Sequence, residues 1–261
     1  MTPHDSPPSL RVGCAGWSLP RDQWPHFPAE GSHLQRYAAR FDAVEIDTSF
    51  YRPHRPETYA RWAASTPADF RFAVKLPKTI THERQLIDAM PPFDDFLAQV
   101  AGLGDRLGCL LVQLAPRLVF DASVLQRFLV GVRQRHPGRI ALEPRHASWF
   151  TPEADALLAE HQVGRVLADP VLHDGAAAPG GWPGLVYVRM HGTPRVYWSA
   201  YDDALLARVA QRLRQARDAG AECWCVLDNT AGGAAVGNAL TLKRMAAESS
   251  PHKNTSETQS P

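Results

Sequence analysis

The apolar runs of this chain end in charged or amide-bearing residues: AVEID, FAVKLPK, LLVQLAP, IALEPRH, VLADP, VYVRMHG and WCVLDN. A stretch with helical spacing follows nearly every one. Buried parallel strands are apolar through their middles, so the polar residues mark one end of each strand and point to one shared face. The pattern predicts strands over Arg11–Ala15, Ala43–Asp47, Arg71–Lys75, Cys109–Gln113, Arg139–Glu143, Arg165–Asp169, Leu185–Met190 and Glu222–Asp228. It predicts helices over His33–Phe41, Glu57–Ala64, Phe93–Leu107, Ala122–Arg135, Pro152–His161, Asp203–Ala219 and Ala235–Ala247. Pro56, Asp121 and Thr151-Pro152 are start signals, and Gly220 is a stop. A stretch rich in Gly, Ala and Pro, Pro170–Pro183, takes the place of one helix. The alternation predicts an α/β fold of the (β/α)8 TIM-barrel type, a closed parallel sheet in a single domain over residues 11–248, with its chemistry at the strand C-termini. Residues 1–10 read as a flexible arm and residues 249–261 as a disordered tail.

Strand period two sorts the faces. Val44 and Ile46 point to the helices, so Glu45 and Asp47 point inward. By the same parity Lys75, Gln113, Glu143, Asp169, Tyr187, Arg189 and His191 face in, with Arg145 just beyond Glu143. The last strand, Cys-Trp-Cys-Val-Leu, has no alternation, so Asp228 and Asn229 are both candidates. Structural ion pairs such as Glu143 with Arg189, or Glu45 with Lys75, account for any one of these charges. As a set they are expected to form a site, because each buried ion costs several kcal/mol of desolvation, in order of magnitude.

Composition narrows the partners. The 28 basic and 27 acidic residues leave a net charge of +1. That balance gives no global field for nucleic acid or anionic membrane, though a local basic pocket stays open. No window approaches the roughly 20 apolar residues of a membrane span, and the first residues lack the pattern of a secretory signal, so a cytoplasmic location is expected. Cys14, Cys109, Cys223 and Cys225 have no CxxC spacing and read as reduced core thiols.

The chemistry expected is acid–base work on a small ligand. Glu45, Glu143 and His191 are the candidate proton carriers. Lys75, Arg145 and Arg189 are the candidate anion clamp. Trp17, Asp47, Tyr51, His82, Gln113, Asp169, Tyr197, Asp228 and Asn229 complete the candidate binding set. Trp17, Phe50, Tyr51, Trp149, Tyr197, Trp198 and Tyr201 follow strand ends, where an aromatic rim would form. Asp228-Asn229-Thr230-Ala231-Gly232-Gly233 would offer backbone N–H groups to an anion at a helix start. No cofactor is expected. A divalent ion on Glu45, Glu143, Asp169, His191 and Asp228 is the alternative, disfavoured because Lys75 and Arg189 compete for the same carboxylates.

Several blocks in order, GCAGWS, FDAVEIDTSFYR, TPADFRFAVKLPKTITH, EPRHASWF, VRMHG and DNTAGGAAVGNAL, resemble the YecE-like family, also called domain of unknown function 72. The resemblance spans about residues 11–245 and implies a TIM-type barrel. It implies no particular activity. Asp47 and Asp228 stand where many such sequences carry asparagine. The expectation is an enzyme acting on a small anionic or polyol-like metabolite, as a hydrolase, lyase or isomerase. The alternative is a noncatalytic module that binds a ligand, nucleic acid or protein through the same face.

Overall fold

The computed structural model describes residues 8–248. The expected tail, and residues 1–7 of the expected arm, lie outside the described residues. Leu10, the last residue of that arm, already belongs to the first strand.

Among the described residues ten strands form: β1 (Leu10–Cys14), β2 (Ala43–Ile46), β3 (Arg71–Lys75), β4 (Leu107–Gln113), β5 (Arg139–Glu143), β6 (Val163–Arg165), β7 (Leu167–Asp169), β8 (Gly180–Gly181), β9 (Leu185–Met190) and β10 (Glu222–Leu227). The helices are α1 (His33–Ala38), α2 (Pro56–Ala64), α3 (Met90–Val100), α4 (Ala122–Arg133), α5 (Pro152–Glu160), α6 (Asp203–Asp218) and α7 (Ala234–Ala247). Between Pro170 and Pro183 there is one short 3-10 turn, Asp174–Ala176, and no long helix. The strands do not close into one parallel sheet. They make a four-stranded sheet in the order β1-β10-β9-β7 and a six-stranded sheet in the order β2-β3-β4-β5-β6-β8. The second is mixed, because β8 pairs antiparallel with β6. The expected (β/α)8 TIM-type barrel, implied by the alternation and by the family resemblance, is thus corrected to an α/β fold of two sheets.

Two local causes divide the sheets. The stretch expected as one strand, Arg165–Asp169, is two strands that belong to different sheets. β6 pairs with β5, and after Val166 the chain switches so that β7 pairs with β9. At the other junction, side chains take the backbone groups that a β1–β2 ladder would use. The Tyr37 hydroxyl accepts from Cys14 N–H (2.8 Å) and donates to the Ala43 carbonyl (2.9 Å). Asp42 Oδ1 accepts from Val12 N–H at 3.3 Å. Only one isolated parallel bridge, Ala15 to Glu45, links β1 and β2. The strands still run close together, for a Cβ at Gly13 would collide with the Ala43 carbonyl.

The alternation along the strands creates two packing regions. Val44, Ile46, Val74, Leu110, Leu142, Val188 and Cys225 face the helices. Ala43, Ala73, Leu111, Ala141, Tyr187, Trp224 and Val226 pack between the facing sides of the sheets. Here small residues make room for two large rings: Tyr187 and Trp224 stack at 5.9 Å and 10°, and a Cβ at Gly108 would lie 2.7 Å from the Trp224 ring. The ambiguous last strand is settled by this packing. Trp224 and Val226 point between the sheets, which carries Asp228 to the same side. All four cysteines are free and buried. Burial pushes the Cys14 and Cys223 thiols up to about 12, so neither is a ready nucleophile. No helix among the described residues is long and apolar enough to cross a membrane.

Tyr37→Phe tests the hydroxyl wedge between β1 and β2. It leaves a buried N–H and a buried carbonyl without their partner, which should cost about 1–3 kcal/mol. A drop in the urea midpoint at constant slope is the expected reading; an unchanged midpoint would mean that the two strands pair directly once the hydroxyl is gone.

Candidate functional site

The parallel strands deliver their polar residues to one end. Glu45 is the third residue of β2, and Asp47 follows its end. Lys75 closes β3, Gln113 closes β4 and Glu143 closes β5. Arg189 is next to last in β9, with His191 just after it, and Asp228 follows β10. Arg189 lies at the centre, 1% exposed. Its Nη2 is 2.6 Å from Glu45 Oε1, 3.2 Å from Asp228 Oδ2 and 3.4 Å from Asp47 Oδ2; its Nη1 is 2.8 Å from Glu143 Oε2. Its Nε also donates to Glu45, at 3.1 Å. Tyr187, by its parity a neighbour of Arg189 and absent from the expected site, donates its hydroxyl to Glu45 Oε2 at 2.7 Å. Arg189 therefore holds carboxylates and has no nitrogen left over for an anion.

His191 sits beside this centre, also buried. Its Nδ1 is 2.9 Å from Asp228 Oδ2, and its Nε2 is 3.1 Å from Glu143 Oε1. Arg145 Nη2 lies 2.6 Å from that same Glu143 oxygen and 3.0 Å from His191 Nε2. The imidazole has two sets of partners as a result. As imidazolium it donates to Asp228 and to Glu143. As neutral imidazole, with its proton on Nδ1, it accepts from Arg145 at Nε2. Loss of one proton would transfer Nε2 from Glu143 to Arg145.

The environment drives these groups apart. Burial pushes Glu45 up to about 8; Arg189 pulls it down, while Asp47 and Asp228 push it further up. Burial opposes ionisation of Glu143 too, but Arg189, Arg145 and His191 together hold it well below the usual range. Asp228 is lowered, as Arg189 and His191 outweigh its burial. Burial works against a charged His191, yet Asp228 and Glu143 raise it above its ordinary 6.5. Two carboxylates a few ångströms apart thus keep opposite protonation preferences.

The rim is more open. Asp47, Arg145 and Lys75 side chains are 28%, 15% and 11% exposed. Lys75 approaches Asp47 rather than Glu45, with Nζ 3.9 Å from Oδ1. That separation is an ion pair without a hydrogen bond. The ammonium rests 4.5 Å from the centre of the Phe50 ring. Asp47 Oδ1 and Arg145 Nε are buried atoms with no hydrogen-bond partner among the described residues. The Ser49 hydroxyl donates to the Ile46 and Lys75 carbonyls and ties the ends of β2 and β3 together; nothing in the period of the sequence marks it. His82 stacks edge-on against Phe50, and burial and Lys75 lower its proton affinity. Tyr197, 44% exposed and held at φ +68°, meets His191 edge to face at 5.9 Å.

Other expected residues go elsewhere. Asp169 accepts from Thr193 and Tyr201, at 2.7 and 2.8 Å, and anchors the loop after β9. Asn229 donates to the Ser199 carbonyl and to Asn238, fastening that loop to α7. The residues considered for a divalent ion share no centre: the Arg189 guanidinium stands among Glu45, Glu143 and Asp228, and Asp169 turns away. Trp17 packs on Trp62 and Trp149 is buried, while Tyr51, Tyr197 and Trp198 stay exposed. Gln113 is half-buried beside Glu143 in the register. Gly232 and Gly233 line a separate cleft of about 820 Å3 with Asp22, Gln23 and Arg244.

Arg189→Met should cost about 3–5 kcal/mol, because it strands buried carboxylates; a urea midpoint close to wild type would show that the cluster can neutralise itself. The pH dependence has a definite sign. Glu45 and His191 bind protons more tightly in the folded chain, so their contribution is complete below their unfolded values, 4.5 and 6.5, and is lost as pH rises through the folded ones. Glu143 and Asp228 do the reverse, losing theirs as pH falls below 4.5 and 3.8 toward their lowered values. Stability should therefore decline from about pH 4.5 to about 8, more steeply above 6.5 where His191 joins, and Glu45→Gln, with no proton to lose, should flatten that decline. Urea midpoints across this range measure it; equal slopes for the two proteins would contradict the assignment to Glu45.

Comparison with known proteins agrees with the resemblance seen in the sequence. UPF0759 protein YecE of Escherichia coli K12 is 33% identical over 137 residues, 49% of each chain, so the match spans about half the length of that relative. A DUF72 family protein of Thermotoga maritima superposes with a TM-score of 0.75 at 25% identity, over 92% of this chain and 99% of that one. A DUF72 family protein of Enterococcus faecalis V583 superposes with a TM-score of 0.76 at 22% identity, over 93% and 97%, a likeness of fold alone. Residues 11–261 match the family described as Protein of unknown function DUF72, and this chain belongs to that family.

Proposed function

We propose that the chain is an enzyme that binds a small hydroxylated or anionic metabolite at the C-terminal ends of its strands and moves a proton to or from it. The observation that carries this reading is the unjoined pair Lys75–Asp47. Their charged atoms are 3.9 Å apart, too far to bond and close enough for one ligand oxygen to serve both. A hydroxyl accepts from an ammonium and donates to a carboxylate, so a polyol-like ligand suits the pair. Arg145, with Nε unpartnered, suits a carboxylate or phosphate on the same ligand.

Burial redistributes the roles expected from the sequence. Glu45, Glu143 and His191 are fully buried behind the rim, so they do not touch a ligand. Asp228 is the link: its Oδ2 is bonded to His191 and to Arg189, and its side chain still reaches the surface. Asp228 and Asp47 are the groups that would exchange a proton with the ligand. His191 and Glu143 would act as positioning residues and as the proton store behind them. A purely structural plug would be filled by branched apolar side chains.

A thermal-shift screen of hydroxylated and anionic metabolites is the first test, because a ligand of the native state raises its melting temperature. Ligands that shift wild type should shift Lys75→Met by far less, while that variant stays folded. Shifts that persist in Lys75→Met would remove the binding site from this rim. Turnover of a retained ligand, followed by NMR, should vanish in Asp228→Asn; binding without turnover in wild type would make the protein a noncatalytic receptor.

A further inference from the structure

The opposite ends of the strands carry a second constellation that the proposed reaction does not use. Arg11 is the second residue of β1, Arg71 opens β3, and Arg106 immediately precedes β4. All three are tethered to the loop before β3. Arg11 Nη1 donates to the Asp69 carbonyl at 3.0 Å. Arg71 and Arg106 share the Ala68 carbonyl, at 2.9 and 2.8 Å. In each guanidinium only Nη1 hydrogen-bonds to the protein, and the Arg11 guanidinium also lies over the Trp224 ring, 5.8 Å from its centre. The Nε and Nη2 groups make no hydrogen bond among the described residues, and Nε of Arg11 and of Arg106 is buried. None of the three has a carboxylate within 4.0 Å among the described residues, although Asp69 and Asp105 stand further off. Like charges crowd here: burial, then Arg11 and Arg106, lower the proton affinity of Arg71. Arg11, Arg71 and the Arg139–Glu222 ion pair line a cavity of about 530 Å3 whose other walls include Gly108, Gly138 and Trp182; Arg106 is not in its wall but is tied to the same Ala68 carbonyl as Arg71.

Such crowding is unfavourable unless something offsets it. At the candidate active site every buried cation faces a carboxylate; here the backbone fixes three cations and the remaining donors are left over. Guanidinium forks match tetrahedral oxyanions, and two or more of them hold a phosphate in a fixed orientation. The cavity is concave and of a size suited to a small molecule. We infer that this end of the strands is a second binding site, for a small phosphorylated anion, held by Arg11, Arg71 and Arg106 and separate from the rim at Lys75. A flat stripe of cations would suit a nucleic-acid backbone better; here Arg11 and Arg71 line a recess and Arg106 joins them through the loop all three share.

Inorganic pyrophosphate is the probe, with the full chain at low ionic strength, followed by calorimetry and by thermal shift. Wild type should bind it, and Arg71→Met and Arg106→Gln should each weaken binding about tenfold or more. Each variant is compared with its own melting temperature without ligand, so any loss of the carbonyl tethers is taken out. Lys75→Met should leave intact the part of pyrophosphate binding that Arg71→Met removes. Absence of binding to wild type, or loss in Lys75→Met with retention in Arg71→Met, would overturn the proposal. So would a single-stranded oligonucleotide that binds more tightly than pyrophosphate and is lost in the same arginine variants, for the site would then serve a nucleic acid.

Discussion

One guanidinium organises the C-terminal ends of the strands. Arg189 comes from β9, and the carboxylates around it come from the ends of β2, β5 and β10. Those strands lie in two different sheets. The ion cluster is therefore also a clamp across the divide between the sheets. Without the arginine, several carboxylates would share a dry volume; without them, a buried guanidinium would be unpaired. Each alternative leaves an uncompensated buried charge, costing on the order of 3–5 kcal/mol. Geometry at this end is consequently rigid, and side chains around Arg189 have little freedom to adapt to a ligand. Adaptation is left to the rim, where Lys75 ends β3 and Tyr197 and Tyr51 project from loops.

Size selection below the cluster makes this arrangement possible. Alanines at 43, 73 and 141 and glycine at 108 line the space between the sheets, and Tyr187 and Trp224 fill it. The Tyr187 hydroxyl then emerges at the height of Glu45. An apolar residue at 187 would fill the volume but leave Glu45 one donor short. Packing and electrostatics are joined at this residue.

Much of this was legible in the sequence, because parity is a local property. Glu45, Lys75, Glu143, Arg189 and His191 each follow from alternation within their own strand, and β3, β5 and β9 have the expected limits. What alternation cannot carry is who pairs with whom. The expected strand Arg165–Asp169 has no polar or glycine break at Val166, yet the chain changes sheets there. The hydroxyl that separates β1 from β2 comes from Tyr37 on α1, a residue that reads as an ordinary core aromatic. Closure into one sheet was inferred from an element count, and two side-chain and backbone details decided against it. Likewise Arg189 looked like a ligand clamp because its strand could not disclose that four carboxylates from other strands would reach it first. Asp169 is in register with Met190, not Arg189, and Asn229 has the opposite parity to Asp228; both turn away from the cluster and are taken up by Tyr201 and Asn238, partners set by the path of one loop.

The position of protons separates a structural plug from a working site. A plug would be most stable if every carboxylate were ionised against a cation, or every one neutral. Here burial favours a proton on Glu45 while Glu143, as deeply buried, is held ionised by two arginines and a histidine. His191 can sit on either side of its own titration by exchanging Glu143 for Arg145 at Nε2. The cluster therefore has at least two proton arrangements with nearly the same heavy-atom positions. Asp228 is the member bonded to His191 and still open to the rim, which is why the proposed reaction routes its proton there. A rigid frame that stores a proton at small reorganisation cost is what the proposed acid–base role would draw on.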